Sequence, residues 1–458
     1  MIENDAFKLL LINLFHLNPD DIANILCTTF NKMMVLIVTL ADKHQACPYC
    51  GFTAPKIKEY VTKEITHSAL TTQKCIIKYR ARRYKCSCCG KTYYEFNPFV
   101  FKSQKISILT VHNILKDLKD FNETFTSVAR RYHVSPTSVS TIFDNHVDIG
   151  RNPLPEIINF DEVYAFKSEK SKYVCVLLDF KKQIPVDVLP NRKKEYLLNY
   201  FQKIPLEERK KVKYACSDMY EVYRDVVHKV FPSCCMLLDY FHLSQDFHRK
   251  MNEVRIKVMK GYKDNKASDE YYLLKKFNWL LFKNPEDEDK HGRLFDVERE
   301  RKYNSHFKSY MNYYDLRKKI LEINNDLTIC YSLKLELVDF YSKSTIDNAK
   351  VNLENLIRSF IDTNIEEMIK FSNNLINWKQ EIINSFTIVG TEYKVEADKG
   401  QVVVCNKKVN NAIIENRNKI IKCIKNNANG YTNWSRFRNR VMYVLDPNAT
   451  FSLEPREK

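Results

Sequence analysis

Residues 157–166 read I-I-N-F-D-E-V-Y-A-F, and prolines at 153 and 155 precede them. Apolar β-branched and aromatic residues bounded by turn formers predict a buried strand. Because side chains alternate faces along a strand, Asp161 and Glu162 point to opposite sides. One of these carboxylates is therefore either a solvated acid on an edge strand or a metal ligand. The stretch alone leaves both interpretations open.

Composition narrows the class of protein. The chain has 458 residues, which predicts about three domains, and a formal net charge of +17. Such an excess of Lys and Arg indicates a polyanionic partner, most simply nucleic acid, with solvated surface charge as the alternative. A run of about 18 apolar residues is missing, so we expect no membrane span. We also expect no signal peptide and a cytoplasmic, nucleoid-associated protein, whose 14 cysteines are thiols or metal ligands.

Two cysteine knuckles near the N-terminus predict a zinc site. They read C-P-Y-C-G at 47–51 and C-S-C-C-G at 86–90. A C-x-x-C turn presents two thiolates from one tight loop, and two such turns complete a tetrahedron. We predict one structural Zn²⁺ held by Cys47, Cys50, Cys86 and Cys89, with ordinary buried thiols as the alternative. Cys88 competes with Cys89, which keeps the x-x spacing before the glycine.

Residues 104–147 carry a helical pattern that is typical of a helix-turn-helix. A first short helix ends near His133, and Ser135-Pro136 supplies an N-cap followed by proline at the first helical position. Many helical hairpins share this pattern and bind nothing, but the basic charge and the adjacent zinc segment favour DNA binding. The candidate DNA contacts on these two helices are Arg130, Arg131, Thr137, Ser138 and Ser140.

A sheet with two carboxylates is predicted after residue 155. Residues 173–180 and 184–189 indicate a hairpin, and a helix, a strand ending at Asp218, a second helix and a strand at 233–238 follow. Three strands followed by helix, strand, helix and strand is the order of a ribonuclease-H-like mixed α/β sheet. In such a sheet Asp161 and Asp218 lie on neighbouring strands and could share a divalent cation.

The remainder of the chain predicts a long all-helical insertion and a final amphipathic helix. After a hairpin expected at 393–405, the apolar residues of 410–425 gather on one side of a helical wheel. Glu415 lies on the opposite side among cations and amides. A solvated glutamate paired with Lys419 and Lys422 is the simplest interpretation of that helix taken alone.

Together these motifs resemble the DDE transposases of bacterial insertion sequences, specifically the ISL-three family. Beside the two knuckles and the helix-turn-helix, the matching motifs are F-D-E-V at 160–163, S-D-M-Y at 217–220, D-Y-F-H-L at 239–243, N-A-I-I-E-N-R-N-K-I-I-K at 411–422 and G-Y-T-N-W-S-R-F-R-N-R at 430–440. The sequence departs from the family pattern at Cys88 and in the length of 387–410.

The resemblance implies a catalytic triad of Asp161, Asp218 and Glu415 that holds two Mg²⁺ or Mn²⁺ ions. It also implies that Asp239 and His242 form a D-x-x-H element, for which we predict a structural role between the last core strand and the insertion. Lys419 and Lys422, on the same side of the helix as Glu415, are predicted to contact DNA phosphate.

The activity implied is binding of an element's terminal inverted repeats, followed by DNA strand cleavage and strand transfer by a homodimer or higher oligomer. Two alternatives are a DNA-binding protein derived from a transposase and a nuclease without strand transfer; the complete triad favours the active enzyme. The predicted domains are an N-terminal segment (1–43), a zinc ribbon (44–95), a helix-turn-helix (100–150), a first part of the core (155–245), the helical insertion (246–395), a last part of the core (396–446) and a tail (447–458).

Overall fold

The computed structural model describes residues 2–43, 46–53, 55–68, 70, 72–101, 104–166, 171–395 and 402–456. The N-terminal part is a sheet covered by one helix. Its elements are α1 (Ile2–Leu14), β1 (Ile22–Phe30), β2 (Met33–Leu40), β3 (Lys56–Thr66), β4 (Cys75–Lys85) and β5 (Thr92–Tyr94). The strand order is β1-β2-β4-β3, with β5 paired to β4.

The apolar run M-M-V-L-I-V-T-L at 33–40 is typical of a strand and forms β2, whereas β1 has no such pattern. Its sequence I-A-N-I-L-C-T-T-F lacks a period-2 alternation, so the pattern carries no strand signal. The turn that joins it to β2 places Asn31 and Lys32 at φ 49° and 60°. Two positive φ values at the centre of a two-residue loop define the hairpin turn that matches strand twist.

Three helices follow, over the segment for which the helical pattern was predicted. They are α2 (Ile108–Asp117), α3 (Phe125–Arg131) and α4 (Pro136–His146). Ser135 caps α4 by accepting a hydrogen bond from the Ser138 backbone N–H, and Pro136 occupies the first turn, as predicted. Their shared core includes Val111, Ile114 and Phe143, and Tyr443 from the end of the chain packs into it.

The central sheet has five strands in the order β10-β9-β6-β7-β8. They are β6 (Ile157–Val163), β7 (Val174–Asp179), β8 (Pro185–Leu189), β9 (Tyr214–Ser217) and β10 (Cys235–Leu238). Strands β6, β7 and β8 pair antiparallel, which confirms the predicted hairpin, while β9 and β10 run parallel to β6. The connections contain α5 (Lys194–Gln202), α6 (Leu206–Arg209) and α7 (Glu221–Val230).

Alternate residues of β6 face two separate cores. Ile158 and Phe160 pack with α5 and α7, through residues such as Phe201 and Tyr223. Val163 on the other face packs with helices from the end of the chain. These are α15 (Ala412–Asn427) and α16 (Trp434–Leu445). The helix that carries Glu415 therefore docks on the face of the sheet that Asp161 shares.

The insertion is not all-helical, which corrects the prediction. Its helices are α8 (Tyr240–Lys260), α9 (Asp269–Lys276), α10 (Tyr313–Glu322), α11 (Asn325–Lys343), α12 (Ala349–Ile361), α13 (Glu366–Asn377) and α14 (Lys379–Asn384). Between α9 and α10 lie two small hairpins, β11 (Glu288–Asp289) with β12 (Gly292–Arg293) and β13 (Lys302–Asn304) with β14 (Ser309–Met311). Charged residues without a helical apolar period fill this segment, and Gly292 turns at φ +92°.

A further hairpin, β15 (Ile388–Val395) with β16 (Val402–Lys408), leads into α15. The range of this hairpin includes the hairpin predicted at 393–405. Its two strands lie on either side of the predicted end of the insertion at residue 395. Residues 396–401 lie outside the described residues. This hairpin accounts for the unexpected length of 387–410. Among the described helices, none has the length and apolar character needed to cross a membrane.

Candidate active site and metal centres

The two cysteine knuckles meet as predicted from their spacing. The Sγ atoms of Cys47 and Cys89 lie 3.7 Å apart and those of Cys50 and Cys86 lie 3.5 Å apart. Four thiolates around one zinc ion at about 2.3 Å have S···S separations of about 3.8 Å. Cys88 is exposed and outside this group of four. The geometry thus favours Cys89 over Cys88.

Each knuckle closes on its glycine. The backbone N–H groups of Gly51 and Gly90 donate to the carbonyls of Cys47 and Cys86, at 2.9 and 3.0 Å. Both glycines have φ near +70°, a conformation that side chains with a Cβ rarely adopt. The glycines therefore allow both thiolates of each knuckle to point inward.

Three aspartates lie in one row across neighbouring strands. The β6–β9 register pairs Asn159 with Cys216, so two further residues bring Asp161 level with Asp218. The β9–β10 register pairs Ser217 with Leu238, so the next residues, Asp218 and Asp239, are also level. Because residues level in parallel strands face the same side, these carboxyl groups share one face of the sheet.

Glu162 lies on the face of β6 opposite Asp161, and its pKa is raised by burial and by the charge of the nearby Asp218. Its carboxylate pairs with Arg192 and accepts a hydrogen bond from the Tyr223 hydroxyl at 3.2 Å, on the α7 face. The Asp161 carboxylate instead accepts from the Glu162 backbone N–H and from Asn418 Nδ2 on α15, each at 2.7 Å. The carboxylates of Asp161 and Glu162 thus lie on opposite faces of β6.

Glu415 approaches the row from α15, closest to the D-x-x-H element. His242 Nε2 lies 3.8 Å from Asp239 Oδ2 and 3.6 Å from Glu415 Oε1. Ligand atoms of Asp239, His242 and Glu415 all lie within 4.8 Å of one another. The Asp239 carboxylate also accepts a hydrogen bond from the Asn411 backbone N–H at the start of α15. The D-x-x-H element therefore contacts the glutamate helix as well as starting the first insertion helix.

Burial raises the pKa of all three aspartates. Burial, with a smaller contribution from Asp218, raises the pKa of Asp161 to about 7. Burial likewise raises the pKa of Asp218 and Asp239, and the charge of His242 opposes both shifts. Perturbed carboxyl groups that converge in this way are a property of functional sites.

The residues present fit a divalent cation. Asp218 Oδ1, Asp239 Oδ2 and His242 Nε2 are buried and have no hydrogen-bond partner among the described residues. Buried acceptors without donors are unfavourable unless another group satisfies them. Carboxylate oxygens are the ligands that Mg²⁺ prefers, and Mn²⁺ also accepts imidazole nitrogen. Among the described residues, the ligand atoms of Asp239, His242 and Glu415 lie close enough together for one such ion, whereas Asp161 and Asp218 lie beside this group on the same face of the sheet.

A cavity of about 710 Å³ gives access to Glu415. It lies between the end of β10, helix α11 and the hairpin that precedes α15, and its lining includes Tyr240, Tyr341, Lys408 and Glu415. Glu415 is thus reachable from outside; Asp239 lines the same cavity, and Asp218 and His242 line a second one.

The predicted DNA contacts differ in exposure. Arg130, Thr137, Lys419 and Lys422 are exposed, and Ser138 is half-buried. Arg131 is held by Asp117 and Glu123, and the buried Ser140 hydroxyl donates to the Thr137 carbonyl. Arg131 and Ser140 thus have partners within the three-helix segment itself.

Sequence reasoning missed two asparagines of the site. Asn418 follows Glu415 by three residues, so a helix places both on one face. Asn411 directly precedes the same helix, is fully buried and contacts β6 through its side chain. Their shared helical face with Glu415 was the available signal, but their partners on β6 lie about 250 positions earlier in the chain.

Comparison with known proteins shows the class of protein, the transposases. A family profile described as "Transposase", for the ISL-three type, matches residues 158–397, just over half of the chain. The chain therefore belongs to the ISL-three family of DDE transposases. The match begins within β6, includes both predicted catalytic aspartates and the D-x-x-H element, and ends before Glu415.

One curated relative extends the similarity over most of the chain. The chain is 19% identical over 409 residues to "Transposase for insertion sequence element IS1001" of Bordetella parapertussis. The alignment covers 89% of this chain and 90% of that protein. The similarity thus extends well beyond the segment matched by the family profile.

Proposed function

We propose that this protein is an active transposase that binds the terminal inverted repeats of an insertion sequence and catalyses metal-dependent DNA strand cleavage and strand transfer. The observation that carries the proposal is the row of carboxyl groups formed by the buried Asp161 and Asp239 and the half-buried Asp218, which Glu415 approaches from α15. Family membership favours the same function. The strand order β10-β9-β6-β7-β8 supports a ribonuclease-H-like core.

In this proposal Asp161, Asp218 and Glu415 are the ligands of two Mg²⁺ or Mn²⁺ ions. When bound, such ions supply positive charge that activates an attacking oxygen and stabilises the leaving 3′ oxygen. The same site serves water at an element end and then the resulting 3′-OH at target DNA. Neither step needs a covalent enzyme intermediate, so we assign no nucleophilic side chain.

We propose that Asp239 and His242 are positioning residues. His242 lies between Asp239 and Glu415, and Asp239 accepts from the backbone N–H of Asn411, the residue that precedes the glutamate helix. Both contacts set the distance between Glu415 and the sheet. In this proposal Asp239 and His242 hold the glutamate helix in place, in addition to the predicted role of connecting the last core strand to the insertion.

Recognition of the element ends is assigned to the N-terminal half. The capped turn at Ser135 between α3 and α4 supports a helix-turn-helix, with Arg130, Thr137 and Ser138 presented to DNA. Arg131 and Ser140 support the fold of this segment through the partners given above. A structural Zn²⁺ in the four-cysteine cluster stabilises the adjoining sheet. Lys419 and Lys422 attract phosphate beside Glu415.

The proposal is tested with double-stranded DNA that carries the sequences flanking the gene. In Mg²⁺ the full-length protein is expected to nick these ends and to join the new 3′-OH to a second DNA. Cleavage without any joining would favour a nuclease, and selective binding without cleavage would favour a DNA-binding protein derived from a transposase.

A further inference from the structure

Three buried asparagines form a polar seam between β6 and the glutamate helix. Asn159 Nδ2 donates to the Asn410 carbonyl and to Asn411 Oδ1, at 2.8 and 2.7 Å. Asn411 Nδ2 donates to the Phe160 carbonyl at 3.3 Å. Asn418 Nδ2 donates to Asp161 Oδ2 at 2.7 Å. Within this seam, Asn418 is the residue that contacts a proposed metal ligand directly.

Asn418 occupies a buried position, where a side-chain amide lowers the stability of the fold unless its polar atoms are hydrogen-bonded. Its side chain is only 5% exposed, and its Oδ1 has no hydrogen-bond partner among the described residues. An apolar residue would fill the same helix position without leaving a buried acceptor unsatisfied. The neighbouring buried positions on α15, Ile414 and Ile421, are indeed apolar.

The contacts of Asp161 show what the amide does. Asp161 Oδ1 accepts from the Glu162 backbone and Oδ2 accepts from Asn418, so both oxygens are held at fixed positions. Each oxygen keeps a second lone pair for another partner. Because Asn418 lies on the same helix face as Glu415, one hydrogen bond both orients Asp161 and fixes the helix that carries Glu415.

We propose that Asn418 is a positioning residue that orients the Asp161 carboxylate for a divalent cation and sets the separation between Asp161 and Glu415. This inference rests on the proposed function, because it takes Asp161 as a metal ligand. Partners that orient a ligand typically change metal affinity by about 10- to 100-fold when they are removed.

The test measures Mn²⁺ binding to the full-length protein, with zinc retained, by electron paramagnetic resonance of the unbound ion. Asn418→Leu keeps the volume and removes the donor. Asn416→Leu is the matched control, since Asn416 is exposed on the same helix. Asp161→Asn tests the ligand assignment itself, and Asn418→Gln restores an amide donor.

We expect Asn418→Leu to weaken Mn²⁺ binding about 10- to 100-fold, Asn416→Leu to bind like the native protein, and Asn418→Gln to recover part of the loss. DNA cleavage by Asn418→Leu should recover as Mn²⁺ is raised to saturation. A purely structural role would instead lower activity at every metal concentration without changing Mn²⁺ affinity.

The two possible failures are distinguishable. If Asp161→Asn loses Mn²⁺ while Asn418→Leu binds within twofold of the native protein, the role of Asn418 is wrong and the proposed function stands. If Asp161→Asn binds Mn²⁺ like the native protein, the proposed ligand set is wrong and the inference fails with it. Should Asn418→Leu not fold, Asn418→Ser, whose hydroxyl is too short to reach Asp161, replaces it in the same comparison.

Discussion

Removing the charge of Asp161 should stabilise the metal-free protein. The Asp161 carboxyl group is buried, and its pKa is raised from 3.8 to about 7, chiefly by burial. The unfolded chain therefore releases this proton at a lower pH than the folded protein does. For a group whose pKa is raised by folding, the unfavourable contribution begins above the unfolded pKa and is complete above the folded pKa.

The magnitude follows from the two pKa values. A difference of one between the folded and the unfolded pKa corresponds to about 1.4 kcal/mol. Ionised Asp161 therefore costs about 4 kcal/mol at pH 8 and under about 2 kcal/mol at pH 5. Asp161→Asn removes this cost and keeps the acceptor for the Glu162 N–H. Asn418 can turn its amide, because its Oδ1 lacks a described partner and can accept from the new amide.

The assay is thermal unfolding without Mg²⁺ or Mn²⁺, with zinc retained, at pH 8 and pH 5. For a domain of about 150–250 residues, a change of 1 kcal/mol in the free energy of unfolding shifts Tm by about 2–4 °C. We expect Asp161→Asn to raise Tm by at least about 5 °C at pH 8 and by less than half of that at pH 5. Saturating Mg²⁺ should remove this difference in Tm, because the ions bind and stabilise the unsubstituted protein and not Asp161→Asn. An unchanged or lower Tm for Asp161→Asn at pH 8 would show that the ionised Asp161 carboxylate does not destabilise the metal-free protein.

Three further predictions concern other parts of the molecule. Cys86→Ser should remove the zinc found by metal analysis and lower Tm, whereas Cys88→Ser should change neither, because only Cys86 belongs to the cluster; retained zinc in Cys86→Ser contradicts the site. Arg130→Ala should reduce selective binding to the element ends. Lys422→Ala should weaken binding to any DNA and reduce the slope of log affinity against log salt concentration by about one. If both variants weaken binding equally for all DNA sequences, Arg130 does not contribute to selective recognition. His242→Ala should slow cleavage with DNA binding intact, and His242→Gln should restore part of the rate; a His242→Ala protein that cleaves normally would show that Glu415 needs no such contact.

The sequence was most informative where function and local pattern coincide. The strand at 157–163, its alternation and the matching positions of Asp161 and Asp218 follow from period-2 patterning and strand order. The four cysteines follow from spacing. Asp179 shows the limit of such reasoning, because a position beside Lys181 and Lys182 in the sequence is typical of a turn open to solvent. It is instead buried, and its Oδ1 accepts from both lysine backbone N–H groups.

The parts of the site and of the fold that the sequence did not predict depend mainly on contacts between distant segments. Asn418 reaches Asp161 across 257 positions, and no local pattern encodes that pair. Asp239 and His242 are visible as a motif, but only the docking of α15 brings Glu415 beside them. Strand β1 and the hairpins at 288–311 were missed because their residues carry neither a helical nor a strand period, and turn geometry defines them instead.

The most direct test of the proposed site is cleavage of element-end DNA in Mg²⁺ by four single variants. Asp161→Asn, Asp218→Asn and Glu415→Gln each remove a proposed ligand, while Glu162→Gln changes an acid that neighbours Asp161 but lies on the opposite face with Arg192. We expect the first three to lose several orders of magnitude in rate while still binding the ends, because charge stabilisation at the reacting oxygens is lost. Glu162→Gln should retain most of its activity. Near-normal cleavage by Glu415→Gln together with an inactive Glu162→Gln would contradict the proposed site.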